Sequence, residues 1–249
     1  MAEARDRSGV FTKNYTGDGD YVKSSQVPVI GRSWSTEVMR DLLTTDRLSS
    51  YLSRCDNDLG RALELYEWNL NASAAVLQTT GMVEVIVRNA LDNQLVAWAT
   101  STGSTWPDVA PLDPLGRTDI ARAIERATDK GRTPRVHGKL VAELNFGFWR
   151  YLTAKRYLAS MWVPVLHRAF PDGDHDLRKR RVQVERHLAG LLLVRNRAAH
   201  HEPIHKRNLT NDLASAIKVA TWIHPDAGAW IAQASTLTAA VAVKPASST

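Results

Sequence analysis

From Ser35 onward, apolar residues recur at three- and four-residue steps along most of the chain, the period of helices that bury one face. Ser35 or Thr36 is placed to cap a first helix carrying Val38, Leu42 and Leu43, followed by Leu48, Tyr51 and Leu52. Asn57-Asp58 opens the next run, through Leu59, Leu63, Tyr66, Leu70, Ala74 and Leu77. A third begins after Gly81 with Met82, Val85, Ile86, Ala90, Leu95 and Trp98. Helical periodicity returns at about 118–130 and at 139–169, the latter interrupted near Pro164. A long helix is predicted over about 177–201, and one or two more between Leu209 and Ala240. No stretch sustains the period-two alternation of a half-buried strand, and no segment repeats at a fixed interval. The pattern predicts an all-α fold, a single helical bundle with additional flanking helices.

The breaks define the organisation. Residues 1–30 are rich in Gly, Ser, Asp and Lys without periodicity and read as a loosely ordered lead-in. Residues 31–240 form the helical domain, and 241–249 a flexible tail. Within the domain, the stretch 101–116 holds three prolines and two glycines and reads as a long loop. A chain of 249 residues buries a core large enough to dispense with disulfides or a structural metal. Its one cysteine, Cys55, permits no intrachain disulfide and reads as a small packed side chain. The first residues carry no apolar signal segment, and the apolar run Leu188–Val194 is far short of a membrane span. Secreted, disulfide-stapled and membrane-spanning classes are therefore excluded, leaving a cytoplasmic protein with no membrane partner as the expectation.

Charge adds a second layer. Lys and Arg total 32 against 26 Asp and Glu, a net of +6. The excess is concentrated: residues 117–156 hold ten basic and four acidic side chains, and residues 178–207 nine basic and two acidic. Solvated helix faces account for such blocks singly; two of them around an aromatic stretch favour phosphate binding.

The second block contains an abrupt change of character. Residues 188–194 are apolar all round, which predicts a central helix, yet they lead directly into Arg195-Asn196-Arg197-Ala198-Ala199-His200-His201-Glu202-Pro203. Seven positions after Leu188, Arg195 returns to within about 20° of the same stripe, and His200 lies one turn beyond Asn196. A guanidinium on a buried seam costs several kcal/mol unless an anion meets it. Pro203 ends the helix, which places the cluster at a mouth. The bland account pairs Arg195 with Glu84 or Asp92, which stack with Arg88 at four-residue spacing beside Asn89. The alternative is a phosphate site. Arg followed at this spacing by His does not discriminate by itself, since Arg132/His137, Arg168/His175 and Arg181/His187 also fit.

The surroundings are more specific. RNRAAHHEPIH after an apolar helix, with RLSSYL at 47–52, ALELYEWNLNASAAV at 62–76, EVIVRNALDNQL at 84–95 and LNFGFWRYL at 144–152, resembles the Abi-like family (AbiD/AbiF-type abortive-infection proteins), a branch of the HEPN superfamily. The resemblance spans roughly residues 36–230. It implies a HEPN-type bundle and a metal-independent endoribonuclease of bacterial antiphage defence. The catalytic set would be Arg195, Asn196 and His200. Arg195 would hold the scissile phosphate, His200 would transfer protons, and Asn196 would orient the imidazole or a phosphate oxygen. Glu84, Arg88, Arg197, His201, Arg181 and Lys206 would bind RNA or support the set. Cleavage needs both an acid and a base, whereas one chain supplies one such set. A homodimer with a shared cleft meets that need, as the resemblance also implies. A regulatory RNA and a neutralising antitoxin are further partners of the same reading, and no cofactor is expected.

Other chemistry is weaker. His201 and His205 are four apart, but Pro203 breaks the face between them and no further ligand completes a zinc set. Phe146, Phe148, Trp149 and Tyr151 read as core before base-stacking platforms. No Gly-rich phosphate loop is present. A non-catalytic RNA-binding defence or regulatory module, and a protein–protein module in which Arg195 is a buried ion pair, stand beside the nuclease reading.

Overall fold

A computed structural model describes residues 33–101 and 103–246, and among them every regular element is a helix. The predicted lead-in, residues 1–30, lies outside the described residues. Two short helices, α1 (Thr36–Leu43) and α2 (Thr45–Leu52), precede α3 (Leu59–Thr100), the longest element at 42 residues. The Asp58 carboxylate caps α3 by accepting the Arg61 N–H at 3.0 Å, as the Asn57-Asp58 signal predicts.

The boundary expected at Gly81 is absent: α3 runs through it. A helical glycine costs about 1 kcal/mol relative to alanine, less than the buried stripe Val76, Thr80, Val83, Val87, Leu91 and Leu95 regains by staying in register. By length and composition alone α3 could cross a membrane, but this stripe is packed inside the protein core.

The proline-rich stretch after α3 is more ordered than expected. It contains α4 (Trp106–Val109), and α5 (Pro114–Ala127) starts inside it with Pro114 in the first turn and Asp113 as cap. Asp113 also accepts from Gly116 N, Tyr151 Oη and Tyr157 Oη and pairs with Arg156, which together hold its carboxyl well below the usual range. The stretch 139–169, expected as helix interrupted near Pro164, does break there but is divided further: α6 (His137–Glu143), α7 (Phe146–Tyr151), and then a 3-10 turn, a π-helical turn and a second 3-10 turn across Lys155–Ala169. Asn145 makes the break between α6 and α7, its side chain capping α7 through the Phe148 N–H at 3.0 Å. The aromatics of this stretch form core: Phe146, Phe148 and Trp149 are buried, with Phe148 and Trp149 edge to face.

Helix α8 (Leu177–Ala199) follows the prediction closely, capped by Asp176 through the Arg178 and Lys179 N–H groups. It ends at Ala199, and His201 takes φ 57°, so the chain turns before Pro203. Val76, Thr79 and Thr80 of α3 face Leu191 and Val194 of α8, while Asn69 accepts the Ile204 N–H just past α8 at 2.8 Å. The two helices are therefore antiparallel. Then come α9 (Leu209–Ile223), α10 (Pro225–Ala234) and α11 (Leu237–Ala242), one more than expected because His224 ends α9 and caps α10. The expected flexible tail is partly fixed. Trp68 Nε1 donates to Ala240 O at 2.7 Å, and the Lys244 ammonium donates to His205 O and lies over the Trp68 ring.

The continuity of α3 is testable. A Cβ at Gly81 would meet nothing within 4 Å, and the position is helical. Gly81→Ala is expected to raise stability by about 0.5–1 kcal/mol, measured by urea unfolding. A loss of stability would show that the helix does not continue there.

Candidate functional site

The antiparallel packing of α3 on α8 brings Glu84 and Arg88 to Arg195. Glu84 is half-buried, and that burial pushes its carboxyl pKa up against the opposing pull of Arg195, Arg88 and the Phe146 backbone N–H. Glu84 and Arg195 thus share an electrostatic environment, while no direct ion pair joins them among the described residues. Asp92, the other expected partner, is engaged elsewhere: it accepts from Trp106 Nε1 at 2.7 Å and meets His137 Nε2 at 2.9 Å.

Arg195 is left with open donors. Among the described residues its hydrogen-bond partner is the neighbouring Asn196 Oδ1, at 3.4 Å, and Arg88 is in the same position with Asn89 Oδ1 at 3.4 Å. Other arginines of the chain are satisfied by the fold. Arg180 donates to the carbonyls of Asp174, His167 and Gly173. Arg207 grips both oxygens of Asp212 at 2.6 and 2.7 Å and reaches Gly190 O. Arg181, expected to support RNA binding, is buried and bonded to Thr153 O and Glu185, so it serves the interior. The basic excess of residues 178–207 is therefore not one solvated face.

Asn196 and His200 are both exposed, one turn apart, and His200 caps the end of α8. Asn196 and His200 thus share the solvent-facing end of α8, while Arg195, bonded to Asn196, lies about 140° around the helix from His200 and close to Glu84. The helix is less central than its composition suggests: Leu188, Leu191 and Val194 are buried, but Leu193 is 54% exposed, one turn before Asn196 and Arg197. Val85, beside Glu84, is also exposed.

Two positions after Arg195, Arg197 emerges about 200° around the helix and donates to Pro203 O at 3.0 Å. It lines a cavity with Lys206, whose side chain is exposed. His201 is exposed, and its carbonyl accepts from Arg47 at 2.9 Å. His205 is buried and bonded through Nε2 to Ser50 Oγ at 2.7 Å, so the His201/His205 pair does not converge. Among the described residues no three His, Cys, Asp or Glu side chains gather as a metal-holding group.

Arg47, Ser50 and Asn69 carry no site signal in the sequence, though all lie in segments that resemble the Abi-like family. Their contacts with the loop after His200 are long-range and leave no local periodic signal. No protein-family model, curated protein or solved structure matches the chain.

Burial holds the His205 pKa down to about 4, reinforced by Lys206, Lys244, Arg54 and Arg197. A histidine whose pKa is lower folded than unfolded stabilises the fold above its unfolded value, near 6.5, and loses that contribution as pH falls towards 4. Stability is expected to drop across this window by up to about 3 kcal/mol on this account. In urea unfolding at stepped pH, His205→Gln should remove about one proton from the uptake that accompanies unfolding. An unchanged pH slope would contradict the assignment.

Proposed function

We propose that this chain is a metal-independent endoribonuclease of bacterial antiphage defence, acting on RNA in the cytoplasm as a homodimer. The observation that carries the reading is the open guanidinium of Arg195 beside Asn196, with the exposed His200 one turn beyond Asn196 at the end of α8. An arginine serving only as a structural tie would have its donors filled, as those of Arg180 and Arg207 are. The resemblance to the Abi-like branch of the HEPN superfamily supports the same three residues.

In this mechanism Arg195 binds the scissile phosphate and stabilises the charge that grows on its oxygens. An imidazole takes the proton of the RNA 2′-hydroxyl, and that oxygen bonds to phosphorus. The P–O5′ bond breaks, the leaving oxygen receives a proton, and a 2′,3′-cyclic phosphate and a 5′-hydroxyl result. His200 is the proton-transfer group, and Asn196 orients it or a phosphate oxygen. The second proton-transfer group comes from His200 of a second copy. The exposed Leu193 and Val85 beside the polar set supply apolar surface for that association. Arg88 contacts the strand, and Glu84 positions Arg195. A protein antitoxin or regulatory RNA that keeps such a toxin silent would cover the same face.

A non-catalytic RNA-binding module is the second reading, favoured by the phosphate-binding character of the open Arg88 and Arg195. Binding alone needs no imidazole. His200→Ala is expected to lower the cleavage rate by about 10²–10⁴ while leaving the thermal midpoint unchanged, because His200 is exposed. A 2′-deoxy sugar at the cut position should abolish cleavage in the unaltered protein. Full cleavage by folded His200→Ala would overturn the role of His200, and RNA binding without cleavage by the unaltered protein would leave the binding reading.

A further inference from the structure

On the side of α8 away from Arg195 the surface holds an open cavity of about 460 Å³ lined by Ser50, Arg197, Pro203, Lys206 and Arg207. Its walls come from α2, the last turn of α8 and the loop after it, and it is independent of the nuclease reading. The volume falls within the roughly 300–1,000 Å³ of small-molecule sites.

Its donors are arranged for an oxyanion. Among the described residues the Arg197 Nε is buried without a hydrogen-bond partner, and its charge is met by Glu202 Oε2 at 3.4 Å, which an entering oxyanion would have to displace. Lys206 has no acidic partner among the described residues, whereas Arg207 is already held by Asp212. Behind Ser50, His205 is 2% exposed and tilted against Tyr51, ring centroids 4.9 Å apart. Its Nε2 meets Ser50 Oγ at 2.7 Å, and its Nδ1 is buried with no hydrogen-bond partner among the described residues.

That orphan fixes the tautomer. A proton on Nδ1 would be a buried donor without an acceptor, the rarer and costlier defect, so the proton resides on Nε2 and is donated to Ser50 Oγ. The Ser50 hydroxyl hydrogen is then free for a group in the cavity. The charges that act on His205 are all cationic, from Lys206, Lys244, Arg54 and Arg197. A hydroxyl donor, a guanidinium edge and an ammonium in a positive field suit a dianionic phosphate, and the volume leaves room for the group that bears it.

We propose that this cavity binds a phosphomonoester, either on a small molecule or at the 5′ end of an RNA strand. Titration calorimetry on the full chain tests it with ribose 5-phosphate against ribose, and with a 5′-phosphorylated 2′-O-methyl RNA hexamer against its 5′-hydroxyl form. The phosphorylated member of at least one pair should bind and its counterpart should not. Binding of ribose 5-phosphate identifies a small-molecule site; binding by the hexamer pair alone identifies a strand end. Lys206→Glu and Ser50→Ala should each weaken binding about tenfold or more. Lys139→Glu, the same charge change on exposed α6, should not. Lys206→Ala, expected to weaken binding in the same direction, serves if the reversal of charge disturbs folding. If neither phosphorylated probe outbinds its counterpart, or if Ser50 and Lys206 variants bind as the unaltered chain does, the proposal is overturned.

Discussion

The packing of α3 against α8 is the constraint on which the rest of the structure depends. Because α3 continues through Gly81, one rigid element of 42 residues carries both Asn69, which holds the loop after α8, and Glu84, which sits beside Arg195. Had the chain turned at Gly81, these two groups would belong to separate helices and nothing would fix their spacing. The antiparallel direction then sets which side chains meet. Val76, Thr79 and Thr80 close on Leu191 and Val194, and the polar end of α8 is left at the surface. Burial of the apolar stripe thus positions groups that it does not itself stabilise.

Much of this is legible in the sequence, for physical reasons that also explain the failures. Caps and dense apolar steps mark α3 at its start and α8 throughout, because Asp58 and Asp176 do locally what capping residues do. Gly81 was misread as a boundary because its cost is local, while the gain from keeping the stripe in register is spread over the whole helix. The stretch 139–169 departs from its periodicity in the opposite sense. Its aromatic density gives a helical pattern, but Asn145 diverts a backbone donor to its side chain and restarts the chain as α7.

The candidate site was legible in composition but not in arrangement. Arg195 is bonded to Asn196 and lies near Glu84, and His200 is exposed one turn beyond Asn196. Periodicity could not tell an arginine with free donors from one that the fold consumes, since that depends on carbonyls distant in sequence. Arg181 and Arg207 look as available as Arg195 until Thr153, Gly190 and their partner carboxylates are in place. Likewise Leu193 reads as core and is exposed. The basic block therefore divides into interior ties, the open Arg195 face, and the cavity around Arg197 and Lys206 on the far side of the same helix.

In the proposed function the arginine and the imidazole at the end of α8 cut RNA with the strand's own 2′-hydroxyl as nucleophile. The chemical identity of the new ends tests this most directly. Mass spectrometry of an oligoribonucleotide incubated with the purified protein in excess EDTA should show 2′,3′-cyclic phosphate and 5′-hydroxyl termini. Products ending in 3′-hydroxyl and 5′-phosphate, formed only when a divalent metal is supplied, would contradict the account.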